Sequence, residues 1–302
     1  MSQQEVVTMN IVRIYELFPT EADCINHLEK VRWRGKPACP YCQSQNTTPA
    51  PKEQRHHCNN CKTAFSVTIQ TIFHHTHLPL QKWFLAVSLI LNAKKGLSSR
   101  QLSRDLQVNK DTAWRIAMKI REAMSQHQQR ELLTGIVEID EAYIGGKPRK
   151  GCPSDTNYKR GRGTDKTPVV GMVERNGNVK AKVMKKGDLN AKKLSALVRS
   201  FVDVQSATLM TDEYTGYVHL KRFAEHHTIN HKVWYVDGNI HTNSIESFWA
   251  ILKRGIVGQF HKVSLRHLPK YIDEFCYRYN NRKTNGGMLF DATIQKGLGL
   301  WQ

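Results

Sequence analysis

Apolar residues recur at helical spacing in the segment that begins near residue 80. They fall three or four positions apart, which places them on one side of a helix, and Gly96 ends the pattern. The residues of this stripe are Leu80, Trp83, Phe84, Val87, Ile90 and Leu91. The spacing predicts an amphipathic helix whose apolar side packs into a core.

A short helix, a turn and a longer basic helix are predicted next. Ser98 or Ser99 can cap a helix that runs to about Leu106, a turn follows at 108–109, and a second helix covers 110–124. This is the helix-turn-helix pattern, whose second helix can enter the major groove of DNA. A plain helical hairpin that packs on the next domain is the alternative. The residues expected to be exposed on the second helix are Lys110, Asp111, Thr112 and Arg115.

The polar segment 126–135 predicts a linker into a second domain. Apolar and acidic residues then alternate in IVEID at 136–140, which predicts a half-buried strand that ends at Asp140. A hairpin around Asn176-Gly177, a helix over 190–202 and a short strand ending at Asp212 follow. A helical stretch at 214–223 and a strand near 227–230 come next. This order of strands and helices predicts an α/β domain with a mixed sheet.

The segment HTNSIESFWAILKRG predicts an amphipathic helix. Its apolar stripe is Ile245, Phe248, Trp249 and Leu252. Polar residues at steps of three and seven return to nearly the same helical angle, so Asn243, Glu246 and Lys253 share an adjacent face. A final helix over 269–282 is expected to turn Ile272, Phe275, Cys276 and Tyr279 inward.

The charge of the chain indicates a polyanionic partner. The 302 residues include 45 Lys and Arg against 26 Asp and Glu, a formal charge of +19. Nucleic acid is the usual partner of such a chain, and an anionic membrane surface is the rival. No apolar run of about 18 residues is present, and the start lacks a signal-peptide pattern. These features predict a soluble, cytoplasmic, DNA-associated protein with no membrane partner.

Four of the seven cysteines form a pattern. CPYC at Cys39 and Cys42 is followed, after 15 residues, by CNNC at Cys58 and Cys61. Two such pairs are typical of a zinc ribbon with one structural Zn²⁺, because each tight turn aims two thiolates at a tetrahedral ion. A disulfide pair is the alternative, which an intracellular compartment disfavours. The other three, Cys24, Cys152 and Cys276, are interpreted as ordinary residues.

Three carboxylates are expected to converge. Asp140 and Asp212 each end a predicted strand, and Glu246 projects from a helix that can pack beside them. Crowded carboxylates repel one another unless a cation neutralises them, and two Mg²⁺ or Mn²⁺ ions suit such oxygen ligands. A single Asp at a strand end is more often a turn former or a helix cap. Alternation points Glu141 and Glu213 away from the site, so they are expected to support the ligands or lie on the surface.

The combination of these motifs is more specific than any one of them. The zinc ribbon together with EIDEAYIGG, TDEYTGY and HTNSIESFWAILKRG resembles the ISXO-type family of insertion-sequence transposases, over about residues 20–282. The resemblance implies a zinc ribbon at 18–70, a helix-turn-helix region at 78–126 and a DDE-type catalytic domain at 134–285. That last domain is expected to be ribonuclease H-like, with a mixed sheet flanked by helices.

The resemblance also implies a chemistry and a set of site residues. Asp140 and Asp212 would be the first two catalytic acids, and Glu246 the third, although relatives often have Asn at that place. Asn243 would then support the ion or the substrate, and Lys253 would contact a phosphate. The enzyme would cleave and join double-stranded DNA at element ends and target, as a homo-oligomer assembled on DNA. The basic loop residues expected to contact DNA are Lys147, Arg149, Lys159, Arg160 and Arg162.

Two other functions remain open at this point. A DNA-binding regulator would need no cleavage chemistry and leaves the three acids unexplained. A nuclease or resolvase of the same fold would cut without joining strands, using the same carboxylates. A serine or tyrosine recombinase is disfavoured because no nucleophile pairs with the arginine cluster that such chemistry needs.

Overall fold

A computed structural model describes residues 8–125, 131–146, 163–229 and 241–299. The chain divides into two compact units. The first unit comprises residues 1–124 and 283–302, and the second unit comprises residues 125–282. Among the described residues, no helix is long and apolar enough to cross a membrane.

The first unit combines a small sheet with helices. Its three strands pair antiparallel in the order β1-β2-β3. The elements are α1 Ile11–Leu17, α2 Glu21–Trp33, β1 Thr47–Ala50, β2 Arg55–Cys58, β3 Ala64–Phe65, α3 Leu80–Asn92, α4 Ser99–Leu106, α5 Lys110–Ser125 and, from the C-terminal part of the chain, α9 Gly286–Gly297.

Two capping side chains explain where the helices of the helix-turn-helix segment begin. The Ser98 hydroxyl accepts from the backbone N–H of Gln101 and caps α4. The Asn109 side chain accepts from the N–H of Thr112 at 2.7 Å, at the start of α5. Both helices lie within a residue of their predicted bounds. Since side-chain caps satisfy otherwise free N–H groups, these two residues fix where the helices begin.

Helix α9 completes the core of the first unit. Phe290 is fully buried, and its ring centroid lies 5.6 Å from that of Phe84 on α3. The N–H of Ile72 donates to the carbonyl oxygen of Gly297 at 2.9 Å. The C-terminal helix therefore belongs with the N-terminal residues, a connection that no local sequence pattern predicts.

The second unit is built on a mixed five-stranded sheet in the order β6-β5-β4-β7-β8. Strands β6, β5 and β4 pair antiparallel, and β7 and β8 run parallel to β4. The predicted α/β class, with a mixed sheet flanked by helices, is confirmed. The elements are β4 Leu133–Ile144, β5 Thr167–Glu174, β6 Val179–Val183, α6 Ala191–Phe201, β7 Val202–Asp212, β8 Glu225–Ile229, α7 Asn243–Gly255 and α8 Leu268–Asn280.

Strand β4 is longer at both ends than predicted. It begins at Leu133, inside the expected linker, and continues past Asp140 to Ile144. The antiparallel neighbour β5 pairs with it as far as Ile144, whereas its parallel pairing with β7 stops at Ile139. Asp140 therefore lies inside the strand, although at the point where the parallel pair ends.

Apolar residues cover both faces of this sheet. Leu194, Leu197 and Val198 of α6 pack on one face together with Tyr217. The stretch predicted as helical at 214–223 is a 3-10 helix, Thr215–Arg222. On α7 the predicted stripe is buried, and on α8 Ile272, Phe275 and Cys276 are buried whereas Tyr279 is half-buried.

Candidate functional site

A carboxylate cluster lies at the edge of the second unit's sheet. One oxygen from each of Asp140, Glu141 and Asp212 lies within 4.8 Å of the other two. Residue 140 follows the last parallel pair of β4 with β7, Ile139 with Thr211, and Asp212 is the last residue of β7. The carboxyl ends of parallel strands meet at one sheet edge, which brings the two aspartates together.

The Asp140 carboxyl group lies in an environment that disfavours its charge. Burial, followed by the negative charges of Glu141, Asp212 and Glu246, raises the pKa of Asp140 to about 7. The indole Nε1–H of Trp249 donates to Asp140 Oδ2 at 3.1 Å. A carboxyl group with a raised pKa among other carboxylates is typical of a site that a cation completes.

Glu141 lies close to the site, which is one of the two places that the sequence left open for it. Strand alternation does point it to the opposite face, but it is buried and its carboxylate belongs to the cluster. Tyr217 is its neighbour there: burial, followed by the negative charges of Glu141 and Asp140, raises the pKa of that phenol well above its usual value. The sequence left open whether Glu141 supports the ligands or lies on the surface, because alternation gives a direction and not a depth. Glu213, in contrast, is exposed.

Helix α7 presents its predicted polar residues on its accessible side. Asn243, Glu246 and Lys253 are all exposed. Glu246 accepts a hydrogen bond from the Thr242 hydroxyl at 3.3 Å. Its negative charge helps to raise the pKa of Asp140, although its oxygens lie outside the group of three. The structure thus places Glu246 near the cluster but outside the group of three.

A buried acid that sequence reasoning missed lies beneath α7. Glu138, two residues before Asp140 on the same face of β4, is completely buried. It accepts from the backbone N–H groups of Ser244 and Ile245 at 2.7 and 3.0 Å. Arg175 Nε donates to it at 2.7 Å. The sequence did contain a signal for this residue: an acidic side chain in the middle of a strand that helices are expected to cover is unusual and needs a partner.

The cluster fits a divalent cation. Three carboxylates offer hard oxygen atoms in a small volume, and such ligands suit Mg²⁺ or Mn²⁺, which keep several waters. The raised pKa of Asp140 is the expected property of such a ligand before an ion binds, because the ion would supply the missing positive charge.

The four predicted thiols of the first unit lie together. One Sγ from each of Cys39, Cys42, Cys58 and Cys61 lies within 4.8 Å of the other three. The Cys39–Cys61 and Cys42–Cys58 sulfur pairs are both 3.6 Å apart. A tetrahedral ion with Zn–S bonds of about 2.3 Å requires sulfurs about 3.8 Å apart. The four sulfurs therefore fit Zn²⁺.

The thiols of this group differ in how readily they lose a proton. Hydrogen bonding, first from the Thr63 hydroxyl, lowers the pKa of Cys61 to about 6, whereas burial raises the pKa of Cys39 to about 11. A zinc ion favours the thiolate form of all four.

The candidate DNA-contacting residues fall into two groups. On α5, Lys110 and Arg115 are exposed and Thr112 is half-buried, and Trp114 adds an exposed aromatic ring that the sequence pattern did not single out. The basic loop residues Lys147, Arg149, Lys159, Arg160 and Arg162 lie outside the described residues, as does Cys152.

Comparison with known proteins gives matches for both units. Residues 132–280 match the ISXO2-like transposase domain, and residues 19–64 match a transposase zinc-ribbon domain. An uncharacterized protein of the transposable element ISH50 from Halobacterium salinarum is 29% identical over 275 residues, covering 86% of this chain and 91% of that protein.

Solved structures give a more distant likeness. The Mos1 transposase paired-end complex with left transposon end is 13% identical with a TM-score of 0.29, covering 71% of this chain and 78% of that one. A pre-cleavage Mos1 transpososome is 14% identical with a TM-score of 0.28, covering 96% and 93%.

Proposed function

Because the chain belongs to the ISXO-type family of insertion-sequence transposases, we propose that it cuts DNA at the ends of its element and joins those ends to target DNA. The observation that carries this proposal is the cluster of Asp140, Glu141 and Asp212 at the sheet edge of the transposase domain. Its crowded carboxylates and the raised pKa of Asp140 suit a cation-dependent site.

Asp140 and Asp212 are the proposed primary metal ligands. Glu246 is the proposed third ligand, since it lies on the exposed side of α7 and its negative charge helps to raise the pKa of Asp140. Glu141 is close enough to bind or to support the same ion. Bound Mg²⁺ or Mn²⁺ would supply Lewis-acid stabilisation of the attacking and leaving oxygens of a phosphodiester. Asn243 and Lys253 would orient the substrate, the latter through a phosphate.

The first unit is proposed to recognise the element's terminal inverted repeats. Its four cysteines would hold one structural Zn²⁺, and α5 would present Lys110, Thr112 and Arg115 to DNA. The positive charge of the chain would add salt-dependent affinity for the phosphate backbone. Both element ends must be held together for joining, so a dimer or larger assembly on DNA is part of the proposal.

The test is a cleavage and joining assay with the purified full chain. The DNA carries the sequences that flank the gene, and Mg²⁺ or Mn²⁺ is added. We expect end-specific nicks and joined products, both lost in Asp140→Asn and Asp212→Asn. Glu213→Gln is the matched control, because Glu213 is the exposed neighbour of Asp212 and should keep full activity.

Three outcomes would change the proposal. Cleavage without joined products would identify a nuclease, and specific binding without cleavage under any divalent ion would identify a regulator. Loss of activity in Asn243→Ala, together with full activity in Glu246→Gln, would make Asn243 the third ligand.

A further inference from the structure

We propose that Glu138 is a positioning residue which, with Arg175, fixes helix α7 on strand β4 so that the helix presents its metal-binding side to Asp140 and Asp212. This inference rests on the proposed function, and it assigns a role to a buried acid outside the set of metal ligands. Contacts at two points along α7 carry it.

The first contact is at the start of the helix. The first N–H groups of a helix have no partner within the helix, and a negative charge there is favourable. Glu138 Oε2 accepts from two of them, those of Ser244 and Ile245, at 2.7 and 3.0 Å. A completely buried carboxylate on the central strand thus takes the place of a local capping side chain.

Arg175 compensates the buried charge and extends the contact. Its Nε donates to Glu138 Oε1 at 2.7 Å, and its Nη2 donates to the carbonyl oxygen of His241 at 2.9 Å. The Nδ1 atom of His241 also lies 3.2 Å from Glu138 Oε1. The carboxylate and the guanidinium therefore hold both the first turn of α7 and the residue that leads into it.

The second contact is one turn further along the helix. Trp249 donates to Asp140 Oδ2 at 3.1 Å, and its ring lies over Gly171, the β5 residue paired with Asp140. A Cβ atom at Gly171 would lie 2.6 Å from that ring. Only glycine therefore permits this approach of the helix to the sheet without a shift.

The spacing of the two contacts matches on helix and strand. Ser244 and Trp249 are five residues apart, which is about 7.5 Å along a helix. Glu138 and Asp140 are two residues apart, which is about 6.6 Å along a strand. Helix α7 can therefore lie along β4 with both contacts made at once. A sliding or tilting helix would break one of them.

Hydrogen bonds are directional, so they fix the position of α7 on β4 more specifically than apolar packing does. Replacing a buried ion pair with apolar residues is often neutral or stabilising, so stability alone does not explain a buried Glu–Arg pair. A carboxylate that accepts from two particular N–H groups defines both the register and the orientation of the helix. The proposed third ligand, Glu246, follows these N–H groups by one residue.

The experiment compares three variants of the full chain. Glu138→Gln removes the charge with little change of shape. Gly171→Ala displaces Trp249, and with it α7, without replacing any acidic residue. Glu274→Gln is the matched control, because Glu274 is also completely buried and paired with an arginine, Arg278, but on α8. Mn²⁺ binding is titrated in each, and amide hydrogen exchange is followed at Ser244 and Ile245.

We expect Glu138→Gln and Gly171→Ala each to weaken Mn²⁺ binding by about tenfold to a hundredfold, as is typical for residues that support metal ligands. In Glu138→Gln the two amides should also exchange faster, and Glu274→Gln should change Mn²⁺ affinity less than about twofold. Unchanged Mn²⁺ affinity in both test variants would overturn the proposal, as would an equal loss in Glu274→Gln. A wild-type chain that binds no Mn²⁺ would instead overturn the proposed function.

Discussion

The Asp140 carboxyl group combines burial with three negative neighbours. Its pKa of about 7 lies above the usual value of 3.8, so the folded, metal-free protein binds this proton more tightly than the unfolded chain does. The folded state gains stability from that proton at low pH. This contribution is complete below about pH 3.8 and is lost as the pH rises to about 7, above which Asp140 is charged without an ion beside it.

The first prediction concerns the stability of the metal-free protein. Asp140→Asn removes the charge but leaves an oxygen that can accept from Trp249, so it should raise the melting temperature at pH 8 by on the order of 5 °C. At pH 5 the shift should be smaller, because the folded-state carboxyl group is neutral there, and it should vanish only below about pH 3.8, where that group is neutral in the unfolded chain as well. Calorimetry with a chelator present checks this, and an equal shift at both pH values would show that the charge of Asp140 is not the cause.

A second prediction concerns metal binding. A divalent ion must displace the Asp140 proton below pH 7, so the Mn²⁺ affinity should rise by about tenfold per pH unit up to about pH 7 and then level off. Calorimetric titrations at pH 6, 7 and 8 measure this. In Asp140→Asn any remaining affinity should lose this pH dependence, and a pH-independent wild type would show that Asp140 is not a ligand.

The sequence was informative about the aspartates and much less so about the glutamates. Asp140 and Asp212 were predicted because each ends a predicted strand, a feature that periodicity indicates, and the structure places both near the end of the parallel pair of β4 and β7. Glu138 was missed, and the place of Glu141 was left open between support of the ligands and the surface, because both depend on what covers the two faces of the sheet. The N–H groups that Glu138 accepts from are more than 100 residues away in sequence.

At the scale of elements, the helix-turn-helix segment agrees closely with its prediction. Its helices begin at residues with capping side chains, Ser98 and Asn109, and its buried residues follow helical spacing. Strand β4 was predicted too short, because the length of a strand is set by its partners and not by its own alternation. Helices α1, α2 and α9 were not predicted at all.

The third prediction tests the second helix of this segment. Lys110→Ala and Arg115→Ala should each weaken binding to element-end DNA by about 1 kcal/mol if the residue contacts a phosphate, and each should lower the salt dependence by about one ion. Binding measured at several salt concentrations checks this. Arg13→Ala removes the same charge from exposed α1 of the same unit and should leave the salt dependence unchanged. An equal effect of all three variants would indicate general charge and not recognition by α5.

At the scale of the whole molecule, the two candidate metal sites lie in different units. Each unit has buried residues of its own, and each site uses ligands of a different chemistry. Thiolates prefer zinc, and carboxylates prefer magnesium or manganese. Loss of the zinc site should therefore leave Mn²⁺ binding at the carboxylate site intact.

The fourth prediction follows from this separation. Cys39→Ser should reduce the zinc content from about one ion per chain to well below it, lower the stability of the first unit, and leave Mn²⁺ binding by the second unit within about twofold of wild type. Elemental analysis and Mn²⁺ titration measure the two effects. Cys24→Ala is the control, because Cys24 is buried in the same unit but lies outside the thiol cluster. This variant should keep about one zinc ion per chain. Loss of Mn²⁺ binding in Cys39→Ser would show that the sites are coupled.

Helix α9 has a consequence for how the protein is made. The first unit takes its last helix from residues 286–297, and Phe290 fills its core between Phe18 and Phe84. On a ribosome the zinc ribbon and helix-turn-helix segment emerge first, yet their unit stays incomplete until the whole transposase domain has been synthesised. A chain cut short by a premature stop codon would lack α9, so its first unit would be destabilised, and the proposed recognition of the element's ends would weaken with it.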